Sequence, residues 1–313
     1  MRRTPVSSLL VDWEGSVTAT LAITGDTLAI SELDFSHSLS SIHLLDLKGN
    51  LPRTRIVVAD FPVTVHSIDL NEDLLVFLKA SQDQYGLSDV NIYWRRDGSK
   101  ICEFNPQPGC KVTSIKLLGG FLVSSSADGC IALTSLHNPR QPRNTLELAG
   151  AEGGPVLDLG VSQARIVALS DDSTVRVWKT DSENCISTLS AGNQNMSKMS
   201  VSWPLCLIAG PHVVELWNLE EQQCLQTLEM PDCRAANVLN LTTDLILVGD
   251  LKGSITLWSL PDLLDGHKAR PGKTVRSLEC LEEDSAVVGV SSLSPGQILV
   301  AGWSGKCSLL RFV

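Results

Sequence analysis

The chain has 313 residues, of which 43% are hydrophobic and 19% charged, and its formal net charge at pH 7 is −10. This length accommodates one large β domain or two ordinary domains, and the composition excludes collagen and long disordered tracts. The acidic balance argues against general nucleic-acid binding, which requires a basic surface.

One strand pattern recurs along the whole chain. Its equivalent positions are, in chain order, Leu45, Tyr93, Thr134, Trp178, Trp217, Trp258 and Leu310. The six intervals average about 44 residues, which fits a four-stranded propeller blade. An apolar run and a tight turn precede each such strand, as in FLVSSSADG, and alternating strands such as NCISTLS follow it. With a further short strand upstream of each block, as in KVTSIKLL, the pattern predicts an all-β fold of seven four-stranded antiparallel units.

The last unit ends after its third strand, and residues near the N-terminus can complete it. The string PVSSLLV at 5–11 reads as the missing outer strand. Closure by a terminal strand removes exposed sheet edges. We therefore expect a single domain over 1–313, with blades near 17–58, 63–105, 111–149, 155–190, 196–230, 235–280 and 286–313 plus 5–11.

These strings resemble the WD-repeat β-propeller family. The resemblance is carried by the S-A-D-G turn at 126–129, by the strand ending at Trp178, and by C-L-Q-T-L at 224–228. It implies a seven-bladed propeller that serves as a protein-interaction platform, for example an adaptor or a substrate receptor of a ubiquitin ligase. The sequence departs from the family because no Gly-His dipeptide precedes a predicted inner strand and because only Asp128 and Asp172 keep the turn aspartate. We therefore expect packing, rather than the family's buried His–Asp network, to hold most blades.

No catalytic constellation emerges from the sequence. The string RPGKT at 270–274 lacks the glycine spacing of a phosphate loop, and the six histidines are isolated from one another and from cysteine pairs. Nine cysteines without a C-x-x-C pair indicate reduced thiols and a cytoplasmic or nuclear protein. We accordingly expect no enzymatic activity, no metal and no cofactor.

A partner site is predicted on one face of the propeller, at blades seven, one and two. By the family's topology this top face carries the turns between the second and third strands, and two of these turns, 31–41 and 79–89, are long. Tolerated surface insertion is the alternative explanation. With aromatic residues outside the strands and uncompensated acidic residues, the predicted site comprises Trp13, Glu14, Glu32, Asp34, Phe35, His37, Tyr85, Glu282, Glu283 and Trp303. The expected partner is a protein with basic residues around an apolar anchor, bound by a monomeric propeller.

A basic rim on the opposite face of blades one to three supports an alternative, a phosphoinositide- or phosphate-binding propeller. Its residues are Arg53, Arg55, Arg95, Arg96, Arg140 and Arg143. The string WRRDG at 94–98 is faintly similar to the Phe-Arg-Arg-Gly loop of phosphoinositide-binding propellers. A merely solvated rim explains the same charges, and no apolar run is long enough to span a bilayer.

Overall fold

The computed structural model describes residues 6–13, 16–18, 20–48, 54–59, 63–79, 89–148, 154–230, 236–264, 273–276, 285–294 and 296–312. Its strands form seven antiparallel sheets, six of four strands and one of five. This is the architecture of a seven-bladed β-propeller, and it confirms the predicted fold class. The chain divides into two compact units: unit 1 comprises Met1–Thr18 and Gly192–Val313, and unit 2 comprises Ala19–Ala191.

The N-terminal segment of unit 1 contributes two strands, β1 (Val6–Asp12) and β2 (Ser16–Val17).

Unit 2 contains four of the sheets, with strands that pair in chain order. Their bounds are β3 (Leu21–Thr24), β4 (Thr27–Asp34), β5 (Leu39–Asp46), β6 (Thr54–Ala59); β7 (Val65–Leu70), β8 (Leu74–Lys79), β9 (Val90–Trp94), β10 (Lys100–Phe104); β11 (Val112–Leu118), β12 (Phe121–Ser126), β13 (Ile131–Ser135), β14 (Arg143–Leu148); and β15 (Val156–Ser162), β16 (Arg165–Ser170), β17 (Thr174–Lys179), β18 (Cys185–Ser190).

Unit 1 contains the remaining three sheets. Their bounds are β19 (Lys198–Ser202), β20 (Leu205–Gly210), β21 (Val213–Asn218), β22 (Gln223–Glu229); β23 (Ala236–Leu241), β24 (Leu245–Asp250), β25 (Ser254–Ser259), the helix α1 (Leu260–Leu264), β26 (Lys273–Arg276); and β27 (Val287–Ser294), β28 (Gln297–Gly302), β29 (Lys306–Arg311). The last sheet has the order β1-β29-β28-β27, so the N-terminal strand completes it as predicted.

The core of each unit lies between neighbouring sheets. In unit 2, fully buried Trp178 packs with apolar residues of the preceding sheet, including Val123 and Leu133. In unit 1, buried Trp258 packs in the same way with Leu216 and Leu228. Because both faces of a blade are covered, the middle strands read as continuous apolar runs rather than as alternating patterns.

Polar side chains link the first strands of adjacent sheets. The Asp69 carboxylate accepts the Leu117 amide at 2.7 Å, and the Ser67 hydroxyl accepts the Ile115 amide at 3.2 Å. Bonds of the same kind join Thr113 to Val156 in unit 2, and Ser200 to Leu241 and Asn237 to Val287 in unit 1. Backbone groups that the sheet ladders leave unpaired thereby gain partners, which fixes the stacking of one sheet on the next.

A second regularity concerns the third strand of every sheet. The residue that pairs with the fourth residue of the second strand is, sheet by sheet, His43, Asn91, Ala132, Arg176, Glu215, Thr256 or Ser308. Six of these seven residues are polar, and all but Thr256 are buried. Buried polar side chains generally require hydrogen-bond partners, and the partners at this position differ from sheet to sheet, as for Glu215 and Arg176.

Candidate functional site

In unit 1, Trp303 lies in the turn between β28 and β29, outside the strands as the sequence predicts. Its side chain is 46% exposed. Its backbone is fixed on both sides, because its amide donates to the Ala286 carbonyl at 2.8 Å and its carbonyl accepts the Thr18 amide at 3.1 Å. The turn therefore presents a large aromatic ring to solvent from a rigid backbone.

Trp13 lies beside this turn, in the connection that follows β1. Its amide donates to the Gly305 carbonyl at 3.4 Å, and its carbonyl accepts the Ser16 amide at 3.0 Å. Gly305 has φ +81°, and a Cβ there would lie 2.8 Å from the backbone oxygens of both Trp13 and Ser16. Only glycine allows so close an approach. Trp13 is half-buried, so it supports the Trp303 turn as well as bordering it.

Leu251 is a residue of this surface that sequence reasoning missed. It lies in the turn between β24 and β25, which occupies the same edge of the neighbouring sheet, and its side chain is 43% exposed. The two sheets are tightly packed there, since a Cβ at Gly249 would lie 2.6 Å from Val287. The sequence signal was the apolar residue in the turn string Asp-Leu-Lys-Gly, where a polar residue is usual.

In unit 2, the structure contradicts the prediction of a long loop at 31–41. Strand β4 continues to Asp34 and β5 begins at Leu39, so only four residues form the turn. Glu32 pairs with Ser41 inside the hairpin, and its side chain is 7% exposed. The prediction that Glu32 contributes to a partner surface is therefore also wrong.

Glu32 instead accepts hydrogen bonds inside the hairpin. Its Oε2 lies 2.6 Å from His43 Nε2 and 3.0 Å from the Ser41 hydroxyl. The Arg55 guanidinium, 43% exposed, approaches the same oxygen at 3.5 Å. Burial alone would raise the pKa of Glu32, but the hydrogen bonds from His43 and Ser41 and the charges of His43 and Arg55 outweigh it and lower the pKa. The carboxylate therefore stays ionised within the sheet.

The tip of the hairpin holds three further residues of the predicted partner site, Asp34, Phe35 and His37. Phe35 is 56% exposed. Asp34 accepts the Ser36 hydroxyl at 2.6 Å, the His37 amide at 3.1 Å and the His37 ring nitrogen Nδ1 at 2.7 Å. Hydrogen bonds from Ser36 and then from His37 lower the pKa of Asp34 well below its ordinary value. The tip thus combines an exposed aromatic ring with a fixed negative charge.

Three arginines of the predicted basic rim lie beside acidic side chains, Arg55, Arg95 and Arg96. Arg95 lies 3.5 Å from Glu72, and Arg96 lies 3.3 Å from Asp97 and stacks over Trp94 at 5.4 Å. The basic rim was predicted from arginines assigned by their sequence position to the connections between third and fourth strands, Arg55 and Arg143 among them. That placement is wrong, because Arg55 lies in β6 beside Glu32 and Arg143 begins β14. Arg140 lies in the turn before β14, as predicted.

The surroundings of Gly98 show how the turn between β9 and β10 packs. It has φ +69°, and a Cβ there would lie 2.8 Å from Thr54 Cγ2 and 3.2 Å from Ile56 Cγ1. The WRRDG turn is therefore packed against β6 of the adjacent sheet. A loop that clasps an anion needs open space above its backbone amides, which this contact does not favour.

Five predicted residues lie outside the described residues. They are Glu14, Tyr85, Glu282 and Glu283 of the partner site and Arg53 of the basic rim.

The described residues contain no cluster of three or more His, Cys, Asp or Glu side chains that could hold a metal ion. The cysteines in that part of the chain form no disulfide. No helix within the described ranges has the length and apolar character needed to cross a membrane.

Comparison with known proteins supports the fold. No family model and no curated protein matches the chain. Among solved structures, the chain is similar to the crystal structure of the computationally designed Ika8 protein, with a TM-score of 0.69 and 13% sequence identity over 98% of this chain and 100% of that one. At this identity the likeness concerns the fold alone.

Proposed function

We propose that the chain is a non-catalytic protein-interaction platform, an adaptor or scaffold subunit of a larger assembly. The observation that carries this proposal is the presentation of Trp303 on a turn whose backbone is bonded on both sides. Tryptophan is among the residues most enriched in the energetic centres of protein interfaces. A rigid turn also loses little conformational entropy on binding, so more of the contact energy becomes affinity.

The surface around Trp303 suits a protein rather than a small molecule. Exposed Leu251 lies on the same edge of the neighbouring sheet, and Trp13 lies beside the Trp303 turn. Exposed apolar residues spread over adjacent turns suit contact with a protein surface, whereas small ligands favour concave pockets. A β-propeller is commonly a protein-interaction platform, which agrees with this arrangement, although fold alone does not fix function.

A more specific form of the proposal follows from the WD-repeat resemblance. The turn at 126–129 and the outer strand at 224–228 carry that resemblance. They support a WD-repeat-type adaptor in the cytoplasm or nucleus, and a substrate-receptor propeller of a ubiquitin ligase is one such adaptor. Identification of the proteins that copurify with the chain distinguishes a ligase from other assemblies.

The test is affinity purification with quantitative mass spectrometry, followed by binding measurements on the recovered partner. Trp303→Ala is expected to lower affinity by about 1–2 kcal/mol, or roughly 5- to 30-fold, and to leave the melting temperature unchanged. Leu264→Ala is the matched control, because Leu264 is 49% exposed in the same unit but lies on α1, in a connection between third and fourth strands. Lowered stability with intact affinity in Trp303→Ala would show that the ring only caps its sheet.

A further inference from the structure

Strands β4 and β5 are longer than the second and third strands of the other sheets in unit 2. Three hairpins begin at equivalent pairs, Thr27 with Asp46, Phe121 with Ser135, and Arg165 with Lys179. Strands β4 and β5 have eight residues each, whereas the second and third strands of the other three sheets have five or six. Two additional residues on each strand carry the turn about 7 Å further along the strand direction.

Buried polar contacts hold the stem of this hairpin. Glu32 bonds Ser41 and His43 across the two strands. On the opposite face of the hairpin, the Ser31 hydroxyl donates to the Thr20 carbonyl at 3.1 Å, and the Ser40 hydroxyl accepts the Val63 amide at 2.6 Å. The stem is therefore fixed on both faces.

The tip, in contrast, is open. All four turn residues, from Phe35 to Ser38, are exposed, and Phe35 is the most exposed of the large apolar residues in the described part of the chain. The bonds that Asp34 accepts from Ser36 and His37 hold the turn in one conformation. The Asp34 side chain is 13% exposed and forms an ion pair with the exposed His37 ring at 2.7 Å, and the ion pairs of the described residues join no Lys or Arg to it.

We infer that the β4–β5 hairpin is an insertion element whose Phe35 ring enters an apolar pocket on a partner protein, with Asp34 facing a lysine or arginine at the pocket rim. The inference deepens the proposed function and rests on it. An aromatic side chain on a preorganised turn supplies contact area at low entropic cost. The fixed carboxylate beside it selects a basic rim and makes association dependent on ionic strength.

The experiment uses the most abundant protein that copurifies with the intact chain, produced in pure form. Phe35→Ala is expected to weaken its binding more than 10-fold, and Phe35→Leu, which keeps an apolar side chain, less than 5-fold. Asp34→Asn is expected to flatten the decrease of affinity between low and high salt. Val57→Ala is the matched control, because Val57 is 50% exposed on β6 of the same sheet. Melting temperatures verify that each variant is folded.

A photo-crosslinking amino acid at position 35 gives an independent measurement. The crosslinked peptide of the partner is expected to contain apolar residues next to lysine or arginine. Equal affinity of Phe35→Ala and the intact chain, or crosslinks to a purely polar acidic segment, would overturn the inference and leave the platform proposal standing. Absence of any copurifying protein would refute the proposed function and this inference together.

Discussion

Replacing Glu32 separates its structural role from a role in partner binding. Glu32→Ala removes the acceptor of two buried donors, the His43 ring and the Ser41 hydroxyl, at 2.6 and 3.0 Å. Loss of the acceptor of a buried donor costs about 1–3 kcal/mol, so losing it for two donors should lower the free energy of unfolding by about 2–6 kcal/mol. Arg55 adds little to this value, because its exposed guanidinium can be hydrated instead.

Urea unfolding of Glu32→Ala, Glu32→Gln and the intact chain measures this cost. Both hydrogen bonds end on the same oxygen, Oε2, which the amide oxygen of glutamine can replace, so Glu32→Gln should lose less stability than Glu32→Ala and chiefly through the lost charge. The pH dependence gives a second readout. The pKa of Glu32 is lowered in the folded chain from its ordinary 4.5. Its contribution to stability is therefore complete above pH 4.5 and is lost as the pH falls through the folded pKa, and neither variant should show this part of the acid dependence.

The competing assignment places Glu32 at the partner surface, and it predicts a different pattern. In that case Glu32→Ala would unfold at the same urea concentration as the intact chain and would bind the partner more weakly. That result would refute the reasoning from burial. Glu183→Ala is the matched control, since it removes an exposed glutamate of the same unit.

Two further predictions concern the sheets themselves. Deletion of residues 1–12 exposes the edge of β29 and removes buried Val11, whose burial alone contributes about 2 kcal/mol to stability. Calorimetry should therefore show a much lower melting temperature or aggregation. An unchanged melting temperature would contradict closure by β1. Gly98→Ala should lower the free energy of unfolding in urea by about 1–3 kcal/mol more than Gly119→Ala, because both glycines have positive φ but, of the two, Gly98 alone has close neighbours. Equal losses of stability would show that the WRRDG turn is not packed on β6.

The fold could be predicted from the sequence because the pattern that specifies it is periodic. Apolar runs, turn residues and aromatic positions recur about every 44 residues, and each blade requires the same four elements in the same order. The same register placed Trp303 in a turn. Closure by 5–11 followed from strand counting, since the last block lacked an outer strand.

The hairpin that contains Glu32 could not be predicted from the sequence pattern. The string SELDFSHSLSS is rich in serine and acidic residues, which usually indicates a loop. In the structure these residues pair as strands, with Glu32 opposite Ser41 and Leu33 opposite Ser40. Both faces of the stem are buried, so the usual alternation of apolar and polar residues is absent. The partners that make this burial tolerable, His43 and Arg55, lie 11 and 23 residues away.

The buried position in each third strand explains why the chain keeps a repeated backbone without a repeated motif. In the fifth sheet, Glu215 accepts bonds from the Trp217 indole at 2.8 Å, the Asn193 amide at 2.6 Å and the Gly192 backbone at 3.1 Å. In the fourth sheet, Arg176 at the same position donates to serine and threonine hydroxyls. At this position the backbone register is kept while the side chain and its partners change, and Ala132 fills it in the third sheet. Seven sheets can therefore share one pairing register while their side chains diverge, and the repeat persists in apolar spacing.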